Sequence, residues 1–186
     1  PAGDAIDYST YLGGSGDDRA NSIAVSYPRS AHVAGSTTST NFPVLWPLQP
    51  TNAGGSDAFL VKVDEDGALT FATYLGDASF DEARDVALDG NRQIYVAGDI
   101  AGDDLLHLDS RGTVIVSRTS IPGAGTGRAV AVDSWGYASL AGEQGVCAYD
   151  VPDPILVRVD PSGVPAAVTA LAGCGDGPTE VKDVAV

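Results

Sequence analysis

A chain of 186 residues is long enough to bury a sizeable core, and a hydrophobic share of 44% excludes a disordered polymer. The formal net charge of −15, from 25 acidic and 10 basic residues, speaks against nucleic acid held by phosphate neutralisation and against docking on anionic lipid. No apolar run approaches the ~18 residues of a membrane-spanning helix, so no membrane insertion is expected.

The first predicted element is Asp7–Leu12, whose residues alternate as in a strand. A Gly/Asp loop, 13–18, leads to a second strand over Arg19–Val25. Ser26–Ser30, with Pro28, reads as a turn, and Ala31–Ser36 as the returning strand. The long polar segment Thr37–Ser56 follows. It carries Phe42, Val44, Leu45, Trp46 and Leu48, which a wholly solvated loop would not, so it is expected to pack back on the body, Trp46 included, with a binding platform as the alternative for Trp46. Asp57–Val63 and Ala68–Leu75 read as a hairpin around Asp64-Glu65-Asp66-Gly67. There Asp supplies a side-chain acceptor and Gly a positive φ. The same turn recurs as Asp109-Ser110-Arg111-Gly112, Asp160-Pro161-Ser162-Gly163 and Asp133-Ser134-Trp135-Gly136. Asp89-Gly90-Asn91-Arg92 fits it loosely, and Ser26-Tyr27-Pro28-Arg29 departs from it.

These elements repeat. The triplet pair Ile23-Ala24-Val25 and Val33-Ala34-Gly35 returns as Val86-Ala87-Leu88 and Val96-Ala97-Gly98. It returns again as Val130-Ala131-Val132 and Leu140-Ala141-Gly142, and its first half once more as Val184-Ala185-Val186. The shortest spacing between copies is 44 residues, and the excess in the others lies in two insertions, 37–56 and 143–154. Four strands in about 45 residues, repeated, predict an all-β β-propeller of consecutive four-stranded blades. The strands are named A to D from the axis outward. The blades fall at 19–75, 83–119 and 128–171 of a single domain, 1–186, with a leading D strand at 7–12 and a trailing A strand at 181–186. The Ala at the centre of each A strand is expected where strands crowd the axis. Three whole blades are too few to close a ring, so the chain reads as part of a larger propeller, or as one completed by self-association or by further blades.

The stretch Tyr8-Ser-Thr-Tyr-Leu-Gly-Gly-Ser-Gly-Asp-Asp-Arg-Ala-Asn-Ser-Ile-Ala-Val25 resembles the bacterial SBBP-type β-propeller repeat. So do Val33-Ala-Gly-Ser-Thr37, Thr40-Asn-Phe-Pro43 and Asn52-Ala-Gly-Gly-Ser-Asp-Ala-Phe59. The resemblance is strongest over 7–76 and weakens beyond. It implies a secreted or cell-surface bacterial protein with a propeller module, and it implies no catalytic residues.

In this architecture the D-to-A and B-to-C connections emerge on one face, which gathers the insertions and the Gly/Asp loops. Cys147 and Cys174 fall on that face at the third blade and are expected to form a disulfide. The bond would stabilise by roughly 3–4 kcal/mol in the chain-entropy model and suits an extracytoplasmic setting. The loop carboxylates Asp17, Asp18, Asp77, Asp81, Glu82 and Asp176 are candidate calcium ligands, although turn chemistry explains most of them. No other cofactor is indicated. His107 matches Lys62 and Arg158 of the other blades and is expected to face solvent; His32 falls on a B strand and reads as structural. There is no Gly-x-Ser-x-Gly elbow and no His-Glu-x-x-His, so no catalytic residue is assigned. The expected function is a non-catalytic scaffold or interaction module at the cell surface, with a protein or cell-surface partner. The alternatives are a propeller enzyme acting on polysaccharide and a calcium-dependent adhesin.

Overall fold

The computed structural model describes residues 6–121, 125–144, 153–170 and 183–184. Among the described residues the chain is all-β, with twelve strands in three four-stranded antiparallel sheets. The first blade contains β1 (Asp18–Ser26), β2 (Ser30–Thr37), β3 (Asp57–Val63) and β4 (Leu69–Leu75). The second contains β5 (Glu82–Leu88), β6 (Ile94–Ile100), β7 (Asp103–Leu108) and β8 (Ile115–Thr119). The third contains β9 (Thr126–Val132), β10 (Ala138–Gln144), β11 (Asp153–Val159) and β12 (Pro165–Ala170). Each sheet is a meander in which every strand pairs with the next in sequence.

The hairpin turns explain why the chain reverses where it does. In the turns that open on Asp, one Asp oxygen accepts two backbone N–H groups: Asp64 from Asp66 and Ala68, Asp133 from Trp135 and Tyr137, Asp160 from Ser162 and Val164. A left-handed residue closes the turn, with Gly67, Gly112, Gly136 and Gly163 at φ of 75–88°. The turn at Asp89 does the same, its carboxylate accepting from Asn91 and Gln93. It differs only in placing Arg92, at φ 64°, where the others place Gly. Arg29 stands at φ 86° in the first blade, after a cis Tyr27-Pro28 bond.

Blades stack through unlike faces. Ala34, Leu60 and Phe71 of the first blade pack against Val86, Ile94, Val96, Leu106 and Leu108 of the second. Tyr95, Ala97 and Leu105 of the second pack against Val130, Leu140, Val157 and Val159 of the third. The central Ala of the A strand has a more specific cause than axial crowding: Ala24 and Ala87 lie in these inter-blade cores. The Gly that ends each second triplet has a cause as well. Each of β1, β5 and β9 carries a β-bulge, at Asn21, Arg84 and Arg128, where the register with the B strand shifts. The bulge pushes backbone against the neighbouring strand. A Cβ on Gly35, Gly98 or Gly142 would collide with the carbonyl oxygen of Arg19, Glu82 or Thr126.

The insertion after β2 lies along the outer edge of the first blade. Leu45 exchanges two backbone hydrogen bonds with Ala72, both of 3.0 Å, and Gln49 bridges to Tyr74, so edge strand β4 is covered. Phe42 stacks on Phe59 at 4.7 Å, and the Tyr74 hydroxyl accepts from the Phe42 N–H while donating to the Ser39 carbonyl. The expected packing therefore holds for Phe42. It fails for Trp46, whose side chain is 73% exposed. The backbone there turns through the left-handed region, at φ 51°, and carries the indole outward.

Residues 7–12 pair with no strand among the described residues, yet they occupy the place of a D strand. A Cβ on Gly112 would fall on the ring of Phe71, in the D strand of the preceding blade. A Cβ on Gly163 would likewise fall on Ser117 of β8, and one on Gly67 would fall on the ring of Tyr8. Tyr8 thus stands to the first blade as Phe71 stands to the second and Ser117 to the third. Most of the second insertion, Cys147, Cys174 and Asp176 lie outside the described residues, as does the trailing strand apart from Asp183 and Val184.

Candidate functional site: the loop face and the open side of the first blade

The acidic loops turn out to be knots in the backbone. Asp18 accepts from the Gly14 N–H at 2.8 Å, from Ser39 Oγ at 3.0 Å and from Thr37 Oγ1. Asp81 accepts from the Asp77 N–H at 2.8 Å and from the Ala101 N–H at 2.5 Å. Asp77 caps its own turn through the Ser79 N–H, which lowers its pKa, and Glu82 pairs with Arg84 at 3.2 Å. Among the described residues, no three of these carboxylates come together in a group that could hold a metal ion. Asp17 and Asp18 stand at the entry to β1, and Asp77, Asp81 and Glu82 on the way into β5.

Two carboxylates that the sequence did not single out are buried beside them. Asp57 accepts from Gln49 Nε2 and from the N–H groups of Ala53 and Gly54, tying the insertion to β3. The Gln49 Oε1 in turn accepts from the Gly76 N–H, joining insertion to D-to-A loop. Burial raises the Asp57 pKa, against these hydrogen bonds. Asp104 on β7 accepts from the N–H groups of Ile121 and Gly127, the two sides of the connection into the third blade. Burial outweighs those bonds and raises its pKa to about 6. Sequence pattern points elsewhere for Asp104, because the first blade has Phe59 at the same register, opposite Gly35.

Around the axis the bulged A strands are stitched to one another by a contact that repeats. Asn21 Nδ2 donates to the Ala83 carbonyl at 2.8 Å; Arg84 Nη1 donates to the Gly127 carbonyl at 3.3 Å. One residue on, Ser22 Oγ accepts from the Val86 N–H and Asp85 accepts from the Val130 N–H at 2.8 Å. A bulge turns these side chains toward the next blade. Alternation alone gives no sign of it, although Asn-Ser, Arg-Asp and Arg-Ala at matching places in three copies are a legible clue.

Both histidines are buried. His32, on β2 opposite Lys62, has no exposed surface, and neither ring nitrogen has a partner among the described residues. Burial, then the Lys62 charge, lowers its pKa to about 4. His107 corrects the expectation of a solvent-facing position: it is buried, stacked on Tyr95 at 4.2 Å, with Nε2 against Gln93 Oε1. Lys62 and Arg158 at the matching places keep contact with water because their long chains can reach it.

The open side of the first blade exposes apolar side chains that the other two blades bury. Ile23 is 64% exposed, whereas Val86 and Val130, at the same place in the next two blades, are each 4% exposed. Val33 is half-buried where Val96 and Leu140 are fully buried. Ile23, Ala31, Val33, Val63 and Leu69 line a groove of about 580 Å³, closed on its outer side by residues 8–12. Tyr11, also on that segment, is fully exposed, whereas Tyr74 at the matching place in β4 is buried. An apolar sheet face and the unpaired segment 8–12 thus lie side by side.

No curated protein matches the chain. Residues 7–43, which run from the unpaired segment through β1 and β2 to the start of the insertion, match the family model of the SBBP beta-propeller repeat, and the chain carries that repeat there.

Proposed function

We propose that this chain is a non-catalytic interaction module of an extracytoplasmic protein, whose first blade docks a further propeller blade while its loops are presented to an outside partner. The observation that carries the reading is the exposure of Ile23 beside the burial of Val86 and Val130. An apolar sheet face of this kind, left in water, is a liability that association removes. The occupant is narrowed by the unpaired segment. Residues 8–12 need a C-type strand with a free edge, as β4 has β3. In this chain β3, β7 and β11 are each paired on both sides, so the described strands of a second copy do not offer one. A three-stranded A–B–C unit ending on an unpaired C edge does. Support for the extracytoplasmic setting is the repeat at 7–43 with the resemblance around it, and two cysteines assigned by sequence to loops of one blade face.

The test is accessibility in the natural assembly. With Ile23→Cys in the full natural polypeptide, maleimide labelling read at peptide level should be slow, and Ser162→Cys, in an exposed turn, should label quickly. Equal rates at the two positions would remove the docking reading.

A further inference from the structure

We propose that the outer groove between the first two blades binds a uronic acid unit of a saccharide, its ring stacked on Trp46 and its carboxylate held by Arg111 and Lys62. Trp46 stands in the left-handed region at φ 51°, which bulky residues avoid, and its side chain is 73% exposed. Burial does not explain why that conformation is kept, and strain retained without packing points to use. The mount is rigid, because Leu45 on one side exchanges both backbone hydrogen bonds with Ala72.

The indole shares an open recess of about 300 Å³ with Lys62, Thr70, Phe71, Arg111 and Thr113. That volume suits one ring of a ligand. In a chain with only 10 basic residues, two stand here, and among the described residues neither is engaged in an ion pair. Partial burial, then the Arg92 charge, lowers the Lys62 pKa, so an arriving anion would meet cations that lack compensation. The Thr70 hydroxyl donates to the Lys62 carbonyl at 3.1 Å, which leaves its oxygen free to accept.

Each wall selects something. An indole face takes a flat apolar surface, which the C–H face of a pyranose supplies. Arg and Lys take one carboxylate in a charge-assisted contact. The threonine oxygen takes a hydroxyl donor, which an aromatic acid such as benzoate lacks. The net charge of −15 excludes a dense polyanion, whose charges would feel the whole field. A single carboxylate in contact with two cations lies inside the screening length of about 8 Å. None of these residues lines the groove on the open side of the first blade, so the proposal stands or falls apart from docking.

The test uses the whole chain carrying Trp135→Phe, which leaves Trp46 as the one tryptophan of the original two. Titration with D-glucuronate should change Trp46 emission saturably, with a millimolar Kd, and D-glucose and benzoate at equal concentration should not. Arg111→Gln should weaken binding about tenfold while leaving the circular dichroism spectrum unchanged, since Arg111 is exposed. Lys62→Gln gives a second, independent arm with the same expected direction. No saturable response to glucuronate, an equal response to glucose or benzoate, or an unchanged Kd in Arg111→Gln would each overturn the proposal.

Discussion

At Gly98 a methyl group would meet the carbonyl oxygen of Glu82, at the bulge of the adjoining A strand. Neither backbone can move without breaking the ladder between β5 and β6. Gly98→Ala should therefore destabilise the chain by about 3 kcal/mol, read as a lower midpoint in urea with an unchanged slope. Two buried titratable residues set the acid response in opposite senses. His32 has a folded pKa of about 4 against an ordinary 6.5, so the unfolded chain takes up its proton first as pH falls. Its contribution is intact above pH 6.5 and is lost on the way down to 4. Asp104 has a folded pKa of about 6 against 3.8, so its contribution is present below 3.8 and is lost as pH rises to 6. Between pH 4 and 6 the two slopes oppose one another. Replacing His32 by Leu removes one of them and leaves no orphaned nitrogen. Relative to His32→Leu, the original chain should lose on the order of 2 kcal/mol between pH 6.5 and 4, measured by chemical denaturation at stepped pH. A constant difference across that range would place the charge of His32 elsewhere.

Among the elements, strands and turns were readable because their chemistry is local. An Asp four residues from the end of a turn and a Gly at its left-handed position give the reversal wherever they stand, as at Asp64, Asp109 and Asp160. The insertion was half readable. Its apolar residues announced that it would pack, but which of them face inward depends on its register against β4, and that register is set by Ala72 and Tyr74 rather than by the insertion itself. Trp46 faces water for this reason, against the expectation of packing. The Tyr74 hydroxyl is the pin of that arrangement, since it satisfies both the Phe42 N–H and the Ser39 carbonyl in a buried place. Tyr74→Phe keeps the ring and abandons both groups. It should cost about 1–3 kcal/mol and speed hydrogen exchange at the Phe42 amide, while amides in the third blade keep their rates. The loop carboxylates were visible as a cluster in sequence and are not one in space. Asp18 and Asp81 belong to different blades, and each is engaged with the backbone of its own loop.

At the scale of the whole molecule, blade count and strand order follow from the triplets, because a 44-residue period can hold little else. The partners of the bulge residues, Ala83 for Asn21 and Gly127 for Arg84, were not legible. They depend on how far one sheet is turned against the next. Because each blade touches only its neighbours, the inner stitching gives the molecule a direction. Asn21 and Ser22 reach forward to the second blade, Arg84 and Asp85 reach forward to the third, and the first blade is left with a surface that only receives. Such a surface is not its own complement. A two-fold symmetric dimer, in which identical patches face each other, is therefore the one arrangement it does not serve. A partner that fits there meets it heterologously, through a surface unlike its own.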